Sequence, residues 1–164
     1  MQLCLWGLMG ALPVGAVTQQ SFQVGATITP GCSVASGSGS NFGSLNFGTH
    51  SGVESGITSN AFIPNTSLAL ACTPGVALSM SIDGGKNYTS VRNMLRTGSS
   101  EKVPYRLYTS GALTANTEIL VNQAVAITYS NSNSISLPIF GAAQLTGFSP
   151  AGAYTDQLTV TLSW

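Results

Sequence analysis

Apolar and polar residues alternate one by one along much of this chain, in short runs broken by Gly, Ser, Asn and Pro. That period of two belongs to strands with one buried face. It predicts strands at 22–28, 44–47, 67–72, 77–82, 103–108, 124–129, 135–142 and 157–164. No long apolar stripe of helical period is present. Residues 36–41, SGSGSN, read as a flexible loop. Asp83-Gly84-Gly85 follows the run ending at Ile82 and reads as a hairpin turn. Arg92-Asn93-Met94-Leu95-Arg96 reads as a short exposed turn or bridging segment. Many short strands with Gly-rich turns imply an all-β sandwich.

The two ends of the pattern stand out. In the first run Phe22, Val24, Ala26 and Ile28 share one face, and no hairpin partner precedes them. Either this strand folds back into its own sheet or it serves another molecule. In the last run Leu158, Val160, Leu162 and Trp164 share a face up to the final residue. That strand is expected to be held in a sheet, with no following residues to pair its other side.

Composition narrows the picture. A length of 164 residues suits one domain. Charged residues are only 6% and the net charge is zero, against roughly 25% charged in an average domain. Five Lys and Arg cannot form a basic patch, so a nucleic-acid partner is not expected. Low charge suits a subunit that lives assembled, and equally a secreted domain rich in Ser, Thr and Asn. Residues 1–16 are apolar and end in Val14-Gly15-Ala16, which reads as a secretory signal peptide, though without Lys or Arg at its start. Of the three cysteines, Cys4 falls in that leader. Cys32 and Cys72 remain as an even pair in an exported chain, expected to form a disulfide; two buried free thiols are the alternative.

Catalytic and metal chemistry find little support. His50 is the single histidine and reads as a solvated loop side chain. No GxSxG elbow occurs. The five acids, Glu54, Asp83, Glu101, Glu118 and Asp156, are scattered, and no spacing suggests a zinc or calcium set. GSGSNFG has no Lys after it and opens no helix, so it is no phosphate cradle. Asn65-Thr66-Ser67 and Asn87-Tyr88-Thr89 match a glycosylation sequon, a pattern common by chance. No enzyme and no cofactor are expected.

A family pattern then becomes visible. Gly31-Cys32-Ser33-Val34 precedes Phe42-Gly43-Ser44-Leu45-Asn46-Phe47-Gly48, then Leu70-Ala71-Cys72 and Ser81-Ile82-Asp83-Gly84-Gly85. Arg92-Asn93-Met94, Val103-Pro104-Tyr105-Arg106-Leu107-Tyr108 and Leu137-Pro138-Ile139-Phe140-Gly141 follow. Pro150-Ala151-Gly152-Ala153-Tyr154-Thr155-Asp156 leads into the terminal strand. In this order they resemble the spore coat protein U domain, a family that includes pilins of archaic, Csu-type chaperone–usher pili. The resemblance spans residues 21–164.

It implies an incomplete immunoglobulin-like β-sandwich that lacks its last strand and is completed by a donated one. Residues 17–29 would be the donor strand and 30–164 the pilin domain. Phe22, Val24, Ala26 and Ile28 would fill the groove of a neighbour, beside the strand carrying Leu158, Val160, Leu162 and Trp164. The implied partners are a periplasmic chaperone, an outer-membrane usher and neighbouring pilins, and the implied destination is a cell-surface fimbrium reached through the periplasm. The alternative is a monomeric secreted spore-coat or carbohydrate-binding surface protein whose first strand belongs to its own sheet.

Overall fold

The computed structural model describes residues 23–35, 42–65 and 69–164. Its twelve strands are β1 (Cys32–Ala35), β2 (Gly43–Ser44), β3 (Ser55–Ala61), β4 (Ile63–Pro64), β5 (Ala69–Cys72), β6 (Leu78–Ile82), β7 (Arg92–Arg96), β8 (Lys102–Tyr108), β9 (Val125–Ile127), β10 (Phe140–Thr146), β11 (Tyr154–Thr155) and β12 (Val160–Ser163). One 3₁₀ turn, Ala115–Thr117, lies between β8 and β9.

Alternation in sequence becomes burial in space. In β6, Leu78, Met80 and Ile82 are buried while Ser79 and Ser81 lie between them on the other face. In β8, Val103, Tyr105 and Leu107 are buried. β6 belongs to a three-stranded sheet of order β12-β6-β9, and β8 to a five-stranded sheet of order β11-β7-β8-β10-β3. Their apolar faces meet in a core with Leu70 and Cys72 of β5, Ala143 of β10, and Ile119, Ile127, Ile135 and Ile139. This is a β-sandwich with open sheets. β1 pairs with β5, and β2 with β4, as separate two-stranded ladders.

Cys32 and Cys72 stand directly opposite each other in the β1–β5 ladder and are joined as a disulfide, Cα to Cα 4.0 Å. Cys72 N–H turns the other way, to Ser132 O at 2.8 Å. The pair therefore occupies a non-hydrogen-bonded position, where opposing Cα atoms come closest.

Several expectations are corrected. Arg92–Arg96 is a strand, not an exposed turn, and Arg92 and Asn93 are buried. Asp83-Gly84-Gly85 is not a hairpin: β6 before it and β7 after it lie in different sheets. The run 135–142 is strand only from Phe140 onward, because Pro138 interrupts it, yet Ile135 and Ile139 still bury their side chains. Near residues 44–47 only Gly43–Ser44 form a strand; Leu45 and Phe47 instead cover Gly141, where a Cβ would strike both. The expected leader 1–16 and the expected loop 36–41 lie outside the described residues.

Candidate functional site

Among the described residues, β12 pairs only with β6, and β1 only with β5, so each leaves one edge open. The phase of an antiparallel ladder decides which main-chain groups face the open side. Asp83 N–H donates to Thr159 O at 3.1 Å, so Val160, opposite Ile82, takes a non-hydrogen-bonded position. Leu162, opposite Met80, takes the next one. Both residues therefore turn their N–H and C=O groups away from β6. On β1, Thr73 N–H donates to Gly31 O at 2.8 Å, and the same phase turns those of Cys32 and Val34 away from β5. No main-chain hydrogen bond joins β1 to β12 among the described residues.

The two edges open from a common point. β12 ends where β1 begins: a Cβ built on Gly31 would lie 3.8 Å from Trp164 Nε1. Leu158, Val160, Leu162 and Cys32 are half-buried against the core. Val34 is 37% exposed and Trp164 58%. The opening thus combines apolar side chains with unmatched main-chain donors and acceptors, which is what an added strand requires.

The entry to β12 is held firmly from one side. Asp83 Oδ1 accepts Thr159 N–H at 2.9 Å and Gly85 N–H at 3.0 Å. Lys86 N–H donates to Gln157 O at 3.2 Å. Asp156 Oδ1 accepts Asn87 N–H and Nδ2–H, at 3.2 and 3.0 Å, and its Oδ2 accepts the Tyr105 hydroxyl at 2.7 Å. Gly85 has φ +82, and a Cβ there would collide with the Asp156 carboxylate. Burial, and then the bond to Asp156, push the Tyr105 phenol well above its ordinary range, so it stays a donor. Beneath this turn, buried Arg92 donates to Asp83 O at 2.8 Å, Ile82 O at 2.9 Å and Ile119 O at 2.7 Å. Burial lowers its pKa, opposed by the nearby Tyr105, Asp83 and Glu118. Arg92 sits on β7 of one sheet and binds the end of β6 in the other, so it ties the two sheets at the start of the open edge.

The first predicted strand is not formed within the chain. Residues 23–30 are exposed and in no strand, with Val24 86% and Ile28 84% exposed. Ala26 is exposed with them, while Phe22 lies outside the described residues. A strand needs neighbouring main-chain groups, and no described part of this chain runs beside the segment.

The sequence pattern that defines the Spore Coat Protein U domain matches residues 18–161. The chain belongs to that family. Among curated proteins, none matches it. Among solved structures, it is similar to the CsuC–CsuE chaperone–tip adhesion subunit pre-assembly complex from archaic chaperone-usher Csu pili of Acinetobacter baumannii, with a TM-score of 0.50 over 84% of this chain at 13% identity. It also matches, at a TM-score of 0.43 over 73% of its length and 15% identity, a structure of a chaperone–tip adhesin complex of CFA/I fimbriae biogenesis. The chain spans 41% and 38% of the lengths of those two solved chains. At 13% identity, the first likeness is one of fold.

The other polar candidates of this Spore Coat Protein U domain have structural tasks. His50 is not a freely solvated side chain. Its Nε2 contacts Phe47 O at 2.7 Å and the Thr58 hydroxyl at 3.2 Å, and its Nδ1 meets Glu54 at 3.0 Å. Asn87 of the second sequon is bound to Asp156 and Thr155 O. Sequence reasoning missed Arg92, Asn87 and Tyr105 as supports of the β12 entry. Their signal was the unusual strand Arg-Asn-Met-Leu-Arg beside a Gly-Gly turn.

Proposed function

We propose that this chain is a structural subunit of a secreted surface fibre, polymerising by strand donation in the manner of archaic chaperone–usher pili. One observation carries the reading: β1 and β12 leave two open edges meeting at Gly31 and Trp164, while an alternating apolar segment, 23–30, lies exposed at the same point. The segment from residue 17 to residue 29 reaches about 40 Å when extended, at ~3.3 Å per residue, ample for one sandwich edge. Burying Phe22, Val24, Ala26 and Ile28 would remove on the order of 300 Å² of apolar surface, about 7–8 kcal/mol at ~25 cal/mol per Å² before ordering costs.

In this reading a periplasmic chaperone lends a strand first, and an outer-membrane usher exchanges it for the segment of the next subunit. Membership of the Spore Coat Protein U family and the fold shared with a Csu subunit support it. The fibre would serve surface attachment and biofilm, and no enzymatic role is assigned.

The test compares the chain beginning at residue 17 with one lacking 17–28, each co-expressed with a pilus chaperone. The full segment is expected to give heat-resistant oligomers, and the deletion only chaperone-bound monomer. An unchanged size distribution after deletion would refute strand donation.

A further inference from the structure

The chain carries only five Lys and Arg, so it matters where their charges lie. Arg92 is buried and spent on main-chain carbonyls, and Arg106 pairs with Glu118 at 2.7 Å. Of the other three, Lys86 and Arg96 line one open cleft of about 390 Å³, beside the place where β7 meets β11. Neither charged end has a hydrogen bond or an ion pair among the described residues. Arg96 is nonetheless half-buried. Its stem lies over Gly152, where a Cβ would come within 3.1 Å of Arg96 Cγ and Cδ. Its main chain is fixed as well: its N–H donates to Glu101 O at 2.9 Å, and Tyr154 of β11 stands opposite it. A guanidinium that is partly desolvated, positioned and without a partner is ready for an acceptor from outside.

The rest of the lining is neutral or already satisfied. Asn87 Nδ2 donates to Thr155 O and to Asp156, and the Thr97 hydroxyl donates to Ala153 O at 3.3 Å. Asp156 also lines the cleft, but its two oxygens take three hydrogen bonds from Asn87 and Tyr105. Glu101 faces Arg96 across the β7–β8 turn and forms no ion pair with it. Two cations against Asp156 leave one net positive charge in the lining. That is too little for nucleic acid or another dense polyanion, which is held by many Lys and Arg at once. It suits a single carboxylate, which takes the guanidinium fork through both oxygens. The neighbouring hydroxyls of Thr97 and Thr155 suit a ligand that carries hydroxyls of its own.

We propose that the Lys86–Arg96 cleft binds a carboxylated sugar of an acidic polysaccharide. Arg96 grips the carboxylate, Lys86 adds charge, and Thr97 and Thr155 meet the sugar hydroxyls. The site lies within one domain and does not rest on strand donation. In a fibre each subunit would repeat it, and many weak contacts to one polymer would add up by avidity.

The test immobilises the full chain and reads binding of soluble sugars by surface plasmon resonance. Tri-galacturonate should bind, and its methyl ester and neutral tri-galactose should not. Arg96→Gln should weaken binding by about tenfold or more, the loss of a bidentate charged pair. Arg96→Lys should recover only part of this, since an ammonium has no fork. Lys86→Gln should weaken binding by about threefold, and Glu101→Gln should strengthen it by about twofold, as it removes a competing carboxylate. A merely structural Arg96 would not produce that gain. Melting temperatures check that each variant folds; if Arg96→Gln does not, Lys86→Gln and Glu101→Gln, both at exposed positions, decide. Equal binding of the acid and its methyl ester would overturn the proposal, and so would no binding at millimolar sugar. Binding that survives both cation substitutions would place the acid elsewhere. Inorganic polyphosphate bound as well as the uronate through the same residues would reduce the cleft to general charge attraction, and would also overturn it.

Discussion

Two sheet edges, β3 and β12, are treated in opposite ways. β3 closes the five-stranded sheet as a seven-residue edge. Side chains shield it: Asn60 Oδ1 accepts Ala61 N–H at 2.8 Å, Asn60 Nδ2 donates to Asn46 O at 2.6 Å, and Thr58 meets His50. Its sequence, SGITSNA, carries few apolar residues, and Gly56, with φ +116, bends its start. These are devices that keep an edge from pairing with strangers. β12 has none of them on its open side. Its apolar residues face the core and its unmatched main-chain groups face outward. Under the proposed strand donation, the bare edge is where a second chain would add. It is also the edge whose entry is anchored by Asp83, Asp156 and Arg92, which would hold it in register for an added strand.

The contrast can be broken in four places, taken from the largest effect to the smallest. Cys32→Ala with Cys72→Ala should detach β1 and destabilise the domain by about 2–5 kcal/mol, the usual cost of losing a native disulfide. Chemical denaturation reads this, and uptake of a donor peptide should fall with it. Ile28→Lys should leave the melting temperature of the domain itself unchanged, since Ile28 is exposed. It should weaken donation by about 1.5–3 kcal/mol, the worth of one buried Ile, seen as at least tenfold weaker binding of the corresponding peptide. Asn60→Ala removes part of the β3 shield. It should cost about 1 kcal/mol and leave peptide binding untouched, because that edge takes no donor; a loss of binding would merge the two edges into one site.

The smallest effect is at His50. Its pKa is raised above 6.5, first by the bond to Phe47 O and then by Glu54. A raised folded pKa means that the protonated ring stabilises the fold. That contribution is complete below pH 6.5 and fades as the pH climbs through the folded value. The stability difference between the native chain and His50→Gln should therefore shrink from acid toward alkaline pH. A difference that grows with pH would mean the neutral ring is the stabilising form.

The sequence was most legible where one face is buried. β5, β6, β9 and β12 fall within runs predicted by alternation, β8 starts one residue before its run, and the Cys32–Cys72 pairing is present. β3 was hidden because its residues are polar on both faces, Ile57 being 70% exposed. β7 was hidden because two of its residues, Arg92 and Asn93, are polar yet buried, on opposite faces of the strand, and bonded to main-chain carbonyls and to the Thr89 hydroxyl that only the fold brings there. The Asp83-Gly84-Gly85 turn was visible, but its destination in the opposite sheet was not, since local turn chemistry does not say which sheet the next strand joins. Of the site, the alternating faces at both ends were readable. The clamp of Thr73 on Gly31 was not, because it joins residues 42 positions apart.

The most direct test of the central claim is a peptide-complementation melt. Residues 30–164, with the disulfide intact, are heated with and without a synthetic peptide of residues 17–29. The account predicts a rise in melting temperature that grows with peptide concentration, as binding to the folded state requires. A domain that melts high alone and ignores the peptide would show the sandwich to be complete already, and would contradict the account.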